Sequence, residues 1–563
     1  MQASGELTLP DGHGVHVERT RQKQHGDFAC NVALSLAKVA KTNPRALAEK
    51  IIANLPDSDV IERIDIAGPG FINFFVSRDA LYGVIDRIRR STRTYGKSTI
   101  GGDQKVMVEF VSANPNGPLH VGHGRGTAYG DTLARILEAT GYNVYREYYF
   151  NDAGRQMDIL ALSVWLRYLE LCGESIEFPA NAYQGDYIFD IAADIHRKHG
   201  SVYSRSVEPL FADLPDDVDK SIDTLIARAR EQLGDGYKGI FTIAKDTMVE
   251  VIRKDLTQFR VEFDEWFSEQ SLVDSGTIER ALKTVQESGH LYEHEGALWF
   301  RSSDFGDEKD RVVRRSNGTH TYFAADIGYL LNKMERGFAH LIYVWGADHH
   351  GMVPRLNAAY QALGFDEKDL TVLLVQFAVL YRQGKKVSMS TRSGEFVTLR
   401  ELREEVGNDA ARFFYVQRKS EQHMDFDMDL AKSQSSENPV YYVQYAHARV
   451  CSVFNQLKEK GLDQDWEKGV DYNLLIEDHE IELLNDLSRF PEVVEAAALS
   501  YEPHQIAYYL RELANRFHTY YNAHPFIASK APLRAARLGL IDATRQVIAN
   551  GLDLLGVSAP QSM

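Results

Sequence analysis

Two histidines three residues apart, His120 and His123, follow an apolar run from Val106 to Val111 and stand where a helical pattern takes over near Val121. Pro115 and Pro118, with small residues around them, break the apolar run, so the stretch predicts a buried strand, a turn and a helix. Beyond it Ala128, Leu133, Ile136, Leu137 and Thr140 keep mostly helical spacing, and Gly141 stands where a C-terminal cap is expected. A helix that starts after a parallel strand offers free backbone N–H groups and the positive end of its dipole, which suits a polyphosphate. The two imidazoles, one turn apart, would then donate hydrogen bonds to phosphate oxygens. Gly122 would let a phosphate or an adenine ring reach the backbone.

Three other readings use the same residues. Paired histidines are half of a zinc site, although no Cys or His cluster lies near them in sequence. Gly122, Gly124 and Gly126 after a strand, with Glu147 about 20 residues on, outline a dinucleotide-binding fingerprint whose last glycine is missing, its place falling to Thr127 or Tyr129. Ordinary surface histidines are the third reading, and they leave Pro115-Asn116-Gly117-Pro118 unexplained.

The string Pro118-Leu119-His120-Val121-Gly122-His123 resembles the HIGH signature of class I aminoacyl-tRNA synthetases, and the longer run from Ser112 resembles its arginyl-tRNA synthetase version. On that resemblance the motif spans Ala113-Asn114-Pro115-Asn116-Gly117-Pro118-Leu119-His120-Val121-Gly122-His123. The likeness extends over almost the whole chain, in the family's domain order. It implies an α/β fold: a class I, Rossmann-like parallel sheet with a helical insertion, a small N-terminal α+β domain and a C-terminal all-α bundle. It also implies ATP-dependent attachment of L-arginine to its tRNA through an arginyl-adenylate, with ATP as substrate, Mg2+ as its counter-ion, and AMP and pyrophosphate released. In the family, arginine activation requires bound tRNA.

Composition sets wider bounds. At 563 residues the chain is too long for one core, and three or four domains are expected. Hydrophobic content of 44% and charged content of 25% are those of an ordinary globular protein. The longest apolar run, Leu370 to Tyr381, is too short to span a bilayer, and no secretory signal pattern opens the sequence. Cys30, Cys172 and Cys451 lack metal-ligand spacing and read as reduced thiols, so a cytoplasmic protein without a membrane partner or a bound metal is expected. A monomer is the expected state. The net charge of −17 weighs against a nucleic-acid partner, though it leaves room for local basic patches.

Along the chain, residues 1–95 read as a compact α+β unit, with strands at Val60 to Ile66 and Phe71 to Val76 around Gly68-Pro69-Gly70. It resembles the family's N-terminal additional domain, which meets the outer corner of the tRNA. Residues 96–420 read as the nucleotide-binding domain, interrupted at about 175–271 by a helix-rich acidic insertion. Within it Asn317-Gly318 signals a hairpin, Tyr322 and Asp326 share one helical face, and Leu341 to Trp345 is a strand ending in Gly346-Ala347-Asp348-His349-His350. Leu370 to Leu380 reads as one further buried strand. Residues 437–563 are almost wholly helical, five or six helices punctuated by Pro491, Pro503, Pro525 and Pro532, and resemble the anticodon-binding domain. There Phe517-His518-Thr519-Tyr520-Tyr521-Asn522 supplies faces for stacking unpaired bases, or else a helical core stripe.

Adenylate formation needs no general base, because a carboxylate is already ionised; it needs positioning and stabilisation of phosphoryl charge. His120 and His123 match that need, and the loop Gly384 to Gly394 adds cations and hydroxyls. This loop resembles the KMSKS signature with Met389 at the second lysine position, so its charge falls to Lys385, Lys386 or Arg392, with Ser388 and Ser390 toward ATP. Some relatives carry a compensating lysine just before HIGH; here Gly117 stands there. A guanidinium substrate calls for buried carboxylates that accept its planar fork. The resemblance assigns arginine recognition to Glu109, Ser112, Asn114, Tyr322 and Asp326, and the adenosine ribose to Asp348 beside Gly346. Glu109 and Asp326 in structural ion pairs is the alternative. Two other functions stay open at this point: a tRNA-binding protein without catalysis, for which Met389 speaks, and a dinucleotide-dependent oxidoreductase, for which the glycines speak.

Overall fold

Five parallel strands form the central sheet of the computed structural model, in the spatial order Leu370–Val375, His340–Gly346, Lys105–Phe110, Asn143–Phe150 and Glu265–Ser268. The structure describes residues 14–20, 22–152, 154–387, 396–462, 466 and 469–563. The chain enters the sheet at its centre, builds outward through two strands on one side, and returns to the other side with His340–Gly346. The order thus reverses between Lys105–Phe110 and His340–Gly346, and the crevice beyond the carboxyl ends of such a pair is where open α/β sheets take ligands. Val106, Met107, Val108 and Phe110 are all buried, as a strand covered on both faces requires.

The helix Val121–Ala139 crosses from this crevice under the sheet, with His120 as its N-cap. Two buried charges hold it in place. Arg125 donates to four backbone carbonyls, from Nη1 to Gln376 and Gln422 at 2.8 Å each, from Nη2 to Lys419 at 2.7 Å and from Nε to Tyr415 at 3.4 Å. Three of these carbonyls lie about the end of the helix Asn408–Val416, so one guanidinium fastens the site helix to chain almost three hundred residues on.

Around this domain lie three further assemblies. The N-terminal unit is a four-stranded antiparallel sheet ordered Val17–Arg19, Phe28–Cys30, Phe71–Val76, Ile61–Ala67, where the sequence suggested two strands. The two extra strands have three residues each, too few for an alternation to register. Helix Arg78–Ser91, placed by sequence with that unit, packs instead in one core with the C-terminal bundle, Tyr82 Oη donating to the Leu475 carbonyl at 2.7 Å. The insertion carries its own core around Trp165, Ile188 and Leu225, built on Arg155–Leu171, Asp186–His199, Val218–Leu233 and the first half of Asp235–Gln258.

Two expectations are corrected. Leu370 to Leu380 is two strands: the first ends at Val375, and Ala378–Arg382 enters a separate three-stranded sheet with Lys385–Lys386 and Met424–Asp427. The break at Gln376-Phe377 escapes a periodicity argument because apolar residues continue on both sides of it. The C-terminal region has four α-helices among the described residues, Pro439–Glu459, Asp478–Leu499, His504–Ala523 and Ala531–Leu554, where five or six were expected. Pro491 sits inside Asp478–Leu499 without ending it, whereas Pro532 takes a first-turn position where a proline costs nothing.

Arg125→Met would strip donors from four carbonyls. The expected cost is about 3 kcal/mol or more, read as a lower denaturation midpoint, and Arg125→Lys should recover less than half of it because one ammonium cannot span the same acceptors.

Candidate active site

The turn between the first strand and the site helix is conformationally strained. Val111 and Ser112 have φ of +67° and +43°, a region that a β-branched residue rarely enters. Ser112 is held there from both sides, its Oγ donating to Glu109 at 3.1 Å and accepting from the Tyr149 N–H at 3.2 Å. Asn114 bridges onward: its Oδ1 accepts from the Asn151 N–H at 3.1 Å and its Nδ2 donates to Gln156 at 2.9 Å. Asn116 donates to the Tyr183 hydroxyl at 3.0 Å, and Tyr187 donates to the Asn116 carbonyl at 2.9 Å, so the insertion supports the turn. A side chain at Gly117 would approach that Tyr187 hydroxyl to 3.1 Å.

The two histidines cap their own helix. The Gly122 N–H donates to His120 Nδ1 at 3.1 Å, and the His120 N–H donates to His123 Nδ1 at 3.2 Å, with ring centroids 3.9 Å apart. Occupied as acceptors, the Nδ1 atoms place the proton of each neutral ring on Nε2, and no described residue accepts from it. Burial lowers the pKa of both rings, that of His123 to about 3 with His120 adding to the effect, so both are neutral donors at physiological pH.

Across the crevice stands Gly346, at the end of the neighbouring strand. A Cβ on Gly122 would lie 2.8 Å from the His120 ring and 3.7 Å from Phe377; one on Gly346 would lie 2.5 Å from Asp348 Oδ1 and 3.2 Å from Phe377. Two glycines therefore flank the exposed ring of Phe377, which makes a flat slot for a planar base. Sequence reasoning missed Phe377 because it stood inside what read as one continuous strand. Asp348 is exposed beside the slot, 3.7 Å from His349.

The carboxylates divide into two kinds. Glu109 and Glu147, register partners on adjacent strands, are both buried and paired: Lys333 bonds Glu109, and Arg336 reaches Glu147 at 2.6 Å with the Tyr329 hydroxyl at 2.5 Å. A Glu147 so engaged is closed to a ribose, which removes the dinucleotide reading. Among the described residues no cation is bonded to Asp326 or Glu269. Burial pushes Asp326 up to about 7 against the pull of Arg355, and Glu269 and Glu109 push the same way. Burial likewise raises Glu269, whose only side-chain donor among the described residues is Tyr149. Glu269 was not singled out from sequence; it follows an edge strand only four residues long and belongs to no motif. Tyr322 opens the helix Tyr322–Glu335 one turn before Asp326, exposed.

Lys385 and Lys386 form a two-residue exposed strand against Arg382 and Tyr381. Ser388, Ser390 and Arg392 lie outside the described residues. In the bundle, Phe517 and Tyr520 are fully buried and His518 nearly so, which places them in the core; of that run's aromatics Tyr521 keeps a partly open ring, with Arg449 4.6 Å from its centre.

Comparison with known proteins agrees with this arrangement. Residues 85–425 match the family described as tRNA synthetases class I (R), catalytic domain, residues 443–563 the DALR anticodon binding domain, and residues 3–76 the arginyl tRNA synthetase N terminal domain. The chain is 62% identical to the arginine–tRNA ligase of Thioalkalivibrio sulfidiphilus over 99% of this chain and 97% of that protein. It is 57% identical to that of Hydrogenovibrio crunogenus over 98% and 95%. Its fold superposes on Thermus thermophilus arginyl-tRNA synthetase with a TM-score of 0.72 at 25% identity, covering 100% of this chain and 98% of that one. With family models matched in all three regions and relatives similar from end to end, the chain belongs to the arginyl-tRNA synthetase family of class I aminoacyl-tRNA synthetases.

Proposed function

We propose that the protein attaches L-arginine to its cognate tRNA. The arginine carboxylate attacks the α-phosphorus of ATP and expels pyrophosphate; a terminal ribose hydroxyl of the tRNA then takes the arginyl group and AMP leaves. The observation that carries this reading is the meeting, in one crevice, of a helix amino end with two neutral imidazole donors and a pair of carboxylates to which no described cation is bonded. The first suits a phosphoryl group gaining charge, the second a guanidinium.

The residues take these roles. His120 and His123 donate from Nε2 to phosphate oxygens, and a neutral donor leaves the net charge of the ATP complex unchanged. The adenine lies along Phe377 between Gly122 and Gly346, with Asp348 toward the ribose hydroxyls. Asp326 and Glu269 hold the guanidinium, with Tyr322 beside them. Glu109, expected as a ligand, has both oxygens engaged by Ser112 and Lys333, so we assign it to fixing the strained turn and, through it, Asn114, which faces the substrate's α-amino and carboxylate end. Lys385 and Lys386, with Arg392 further along the loop, stand for the pyrophosphate. Mg2+ enters as the counter-ion of ATP; among the described residues no group of three or more His, Cys, Asp or Glu side chains stands ready for a metal. No helix among them is long and apolar enough to cross a membrane; a cytoplasmic location and a monomeric state belong to the proposed reading. The bundle, with Tyr521 and Arg449, faces the anticodon.

A charging assay with ATP, tRNA and each amino acid in turn tests the assignment: arginine alone should be esterified, and preference for another amino acid would overturn it. His120→Ala or His123→Ala should lower the adenylation rate about a hundredfold or more, read as pyrophosphate exchange with tRNA present.

Asp326→Asn and Glu269→Gln should raise the KM for arginine far more than that for ATP. The pH profile follows from the Asp326 pKa of about 7. Its raised value means that the free protein keeps the proton below that pH and loses the associated stability as pH rises through it, whereas arginine binds the ionised form. The KM for arginine should therefore fall about tenfold per unit as pH rises toward 7 and then level off, and Asp326→Asn should flatten the curve.

A further inference from the structure

The second buried charge of the site helix points beyond the crevice. Asp131 lies two turns past His123 and is almost completely buried. Burial opposes its charge, yet the guanidiniums of Arg412, Arg135 and Arg146 hold its pKa below the usual range. Arg412, fully buried on the helix Asn408–Val416, bonds Asp131 through Nη2. Its other nitrogens reach elsewhere: Nε donates to the Leu555 carbonyl at 2.9 Å, just past the last bundle helix, and Nη1 to the Phe259 carbonyl at 3.0 Å, just past the last insertion helix. One guanidinium thus joins the helix bearing His120 and His123 to the ends of two other assemblies.

Gly556 shows how closely the parts fit. Its φ is +65°, and a Cβ there would lie 2.3 Å from Arg412 Nη2, the nitrogen that bonds Asp131. Neighbouring contacts fasten the same segment: Arg260 donates to the Gly556 carbonyl at 3.1 Å, and the Ser558 N–H to Asp409 at 3.1 Å. A second strut runs alongside, from the Tyr129 hydroxyl to the Tyr501 carbonyl at 2.7 Å, in the turn between two bundle helices.

We propose that Arg412, packed against Gly556, is a positioning residue for adenylation: it transmits the seat of the C-terminal bundle to the helix that carries the two histidines. This inference rests on the proposed reaction. A rigid helix moves its first turn when its middle is released, and displacement of a reacting group by about 1 Å costs on the order of a hundredfold in rate. Asp131 keeps Arg135 as a partner at 2.7 Å when Arg412 is lost, so the buried carboxylate is not left alone.

The test is steady-state and single-turnover charging of arginine onto tRNA by Arg412→Met, Arg412→Lys, Gly556→Ala and the Gly556→Ala/Arg412→Met pair, below each variant's unfolding temperature. Arg412→Met and Gly556→Ala should each lower kcat about tenfold or more while the KM for ATP and the Kd for tRNA stay within about twofold. Arg412→Lys, which keeps the charge on Asp131 and loses the fork, should fall between. The double variant should be no slower than the slower single, because both changes break one contact. A kcat within twofold of wild type in Gly556→Ala, or two effects that multiply in the double variant, would overturn the proposal; if Arg412→Met does not fold, Gly556→Ala and Arg412→Lys decide it. The wild-type arm tests the reaction itself: failure there removes the proposed function, whereas failure confined to the variants removes only the clamp.

Discussion

A helix buried along most of its length tolerates a charge only where that charge is paired, and Val121–Ala139 carries two, Arg125 and Asp131. Their partners come from segments far away in sequence. Arg125 gathers the carbonyls of Gln376, Tyr415, Lys419 and Gln422, and Asp131 gathers Arg412 with what that residue holds. The obligation to satisfy these groups therefore fixes where the helix begins, and with it the two imidazoles at its amino end. The same obligation carries the chain past Gln376, which leaves Phe377 standing between the glycines of the crevice.

The crevice is electrically two-sided. At one side, backbone N–H groups and neutral histidines offer donors without a full charge, so polyphosphate meets partial positive charge. At the other, Asp326 and Glu269 have no bonded cation among the described residues, and burial raises the pKa of both. Glu109 and Glu147 lie in the same region and have been neutralised by Lys333 and Arg336. The protein's own cations thus take two carboxylates out of the contest and leave two. In the reading we propose, a substrate guanidinium completes what the described residues leave open.

Much of this was legible in the sequence, for identifiable reasons. Strand, turn and helix around His120 were written in a local pattern, and the motif identified the family. The carboxyl-edge position of Gly346 and Asp348 followed from an apolar run with a clear end. Legibility failed wherever a long-range partner decided the outcome. Nothing near Glu109 in sequence shows that Lys333 will occupy it, and nothing near Glu269 marks it as lacking a cation. Helix Arg78–Ser91 carries a sound amphipathic pattern that does not say which core it serves. Gln376-Phe377 interrupts two strands without interrupting hydrophobicity, and Pro491 lies within a helix that tertiary packing maintains. The Phe517 to Asn522 run was ambiguous between stacking surface and core for the same reason: burial, which settles it for Phe517 and Tyr520, is not a local property.

We propose that phosphate and guanidinium are bound at opposite sides of one crevice by the groups named above. A crystal structure with a non-hydrolysable sulfamoyl analogue of arginyl-adenylate tests it most directly. The guanidinium should lie within about 3 Å of Asp326 and Glu269, the adenine on Phe377 and the sulfamoyl oxygens at Nε2 of His120 and His123, with Lys333 still bonded to Glu109. An analogue whose guanidinium displaces Lys333 from Glu109, or whose adenine lies away from Phe377, would contradict it.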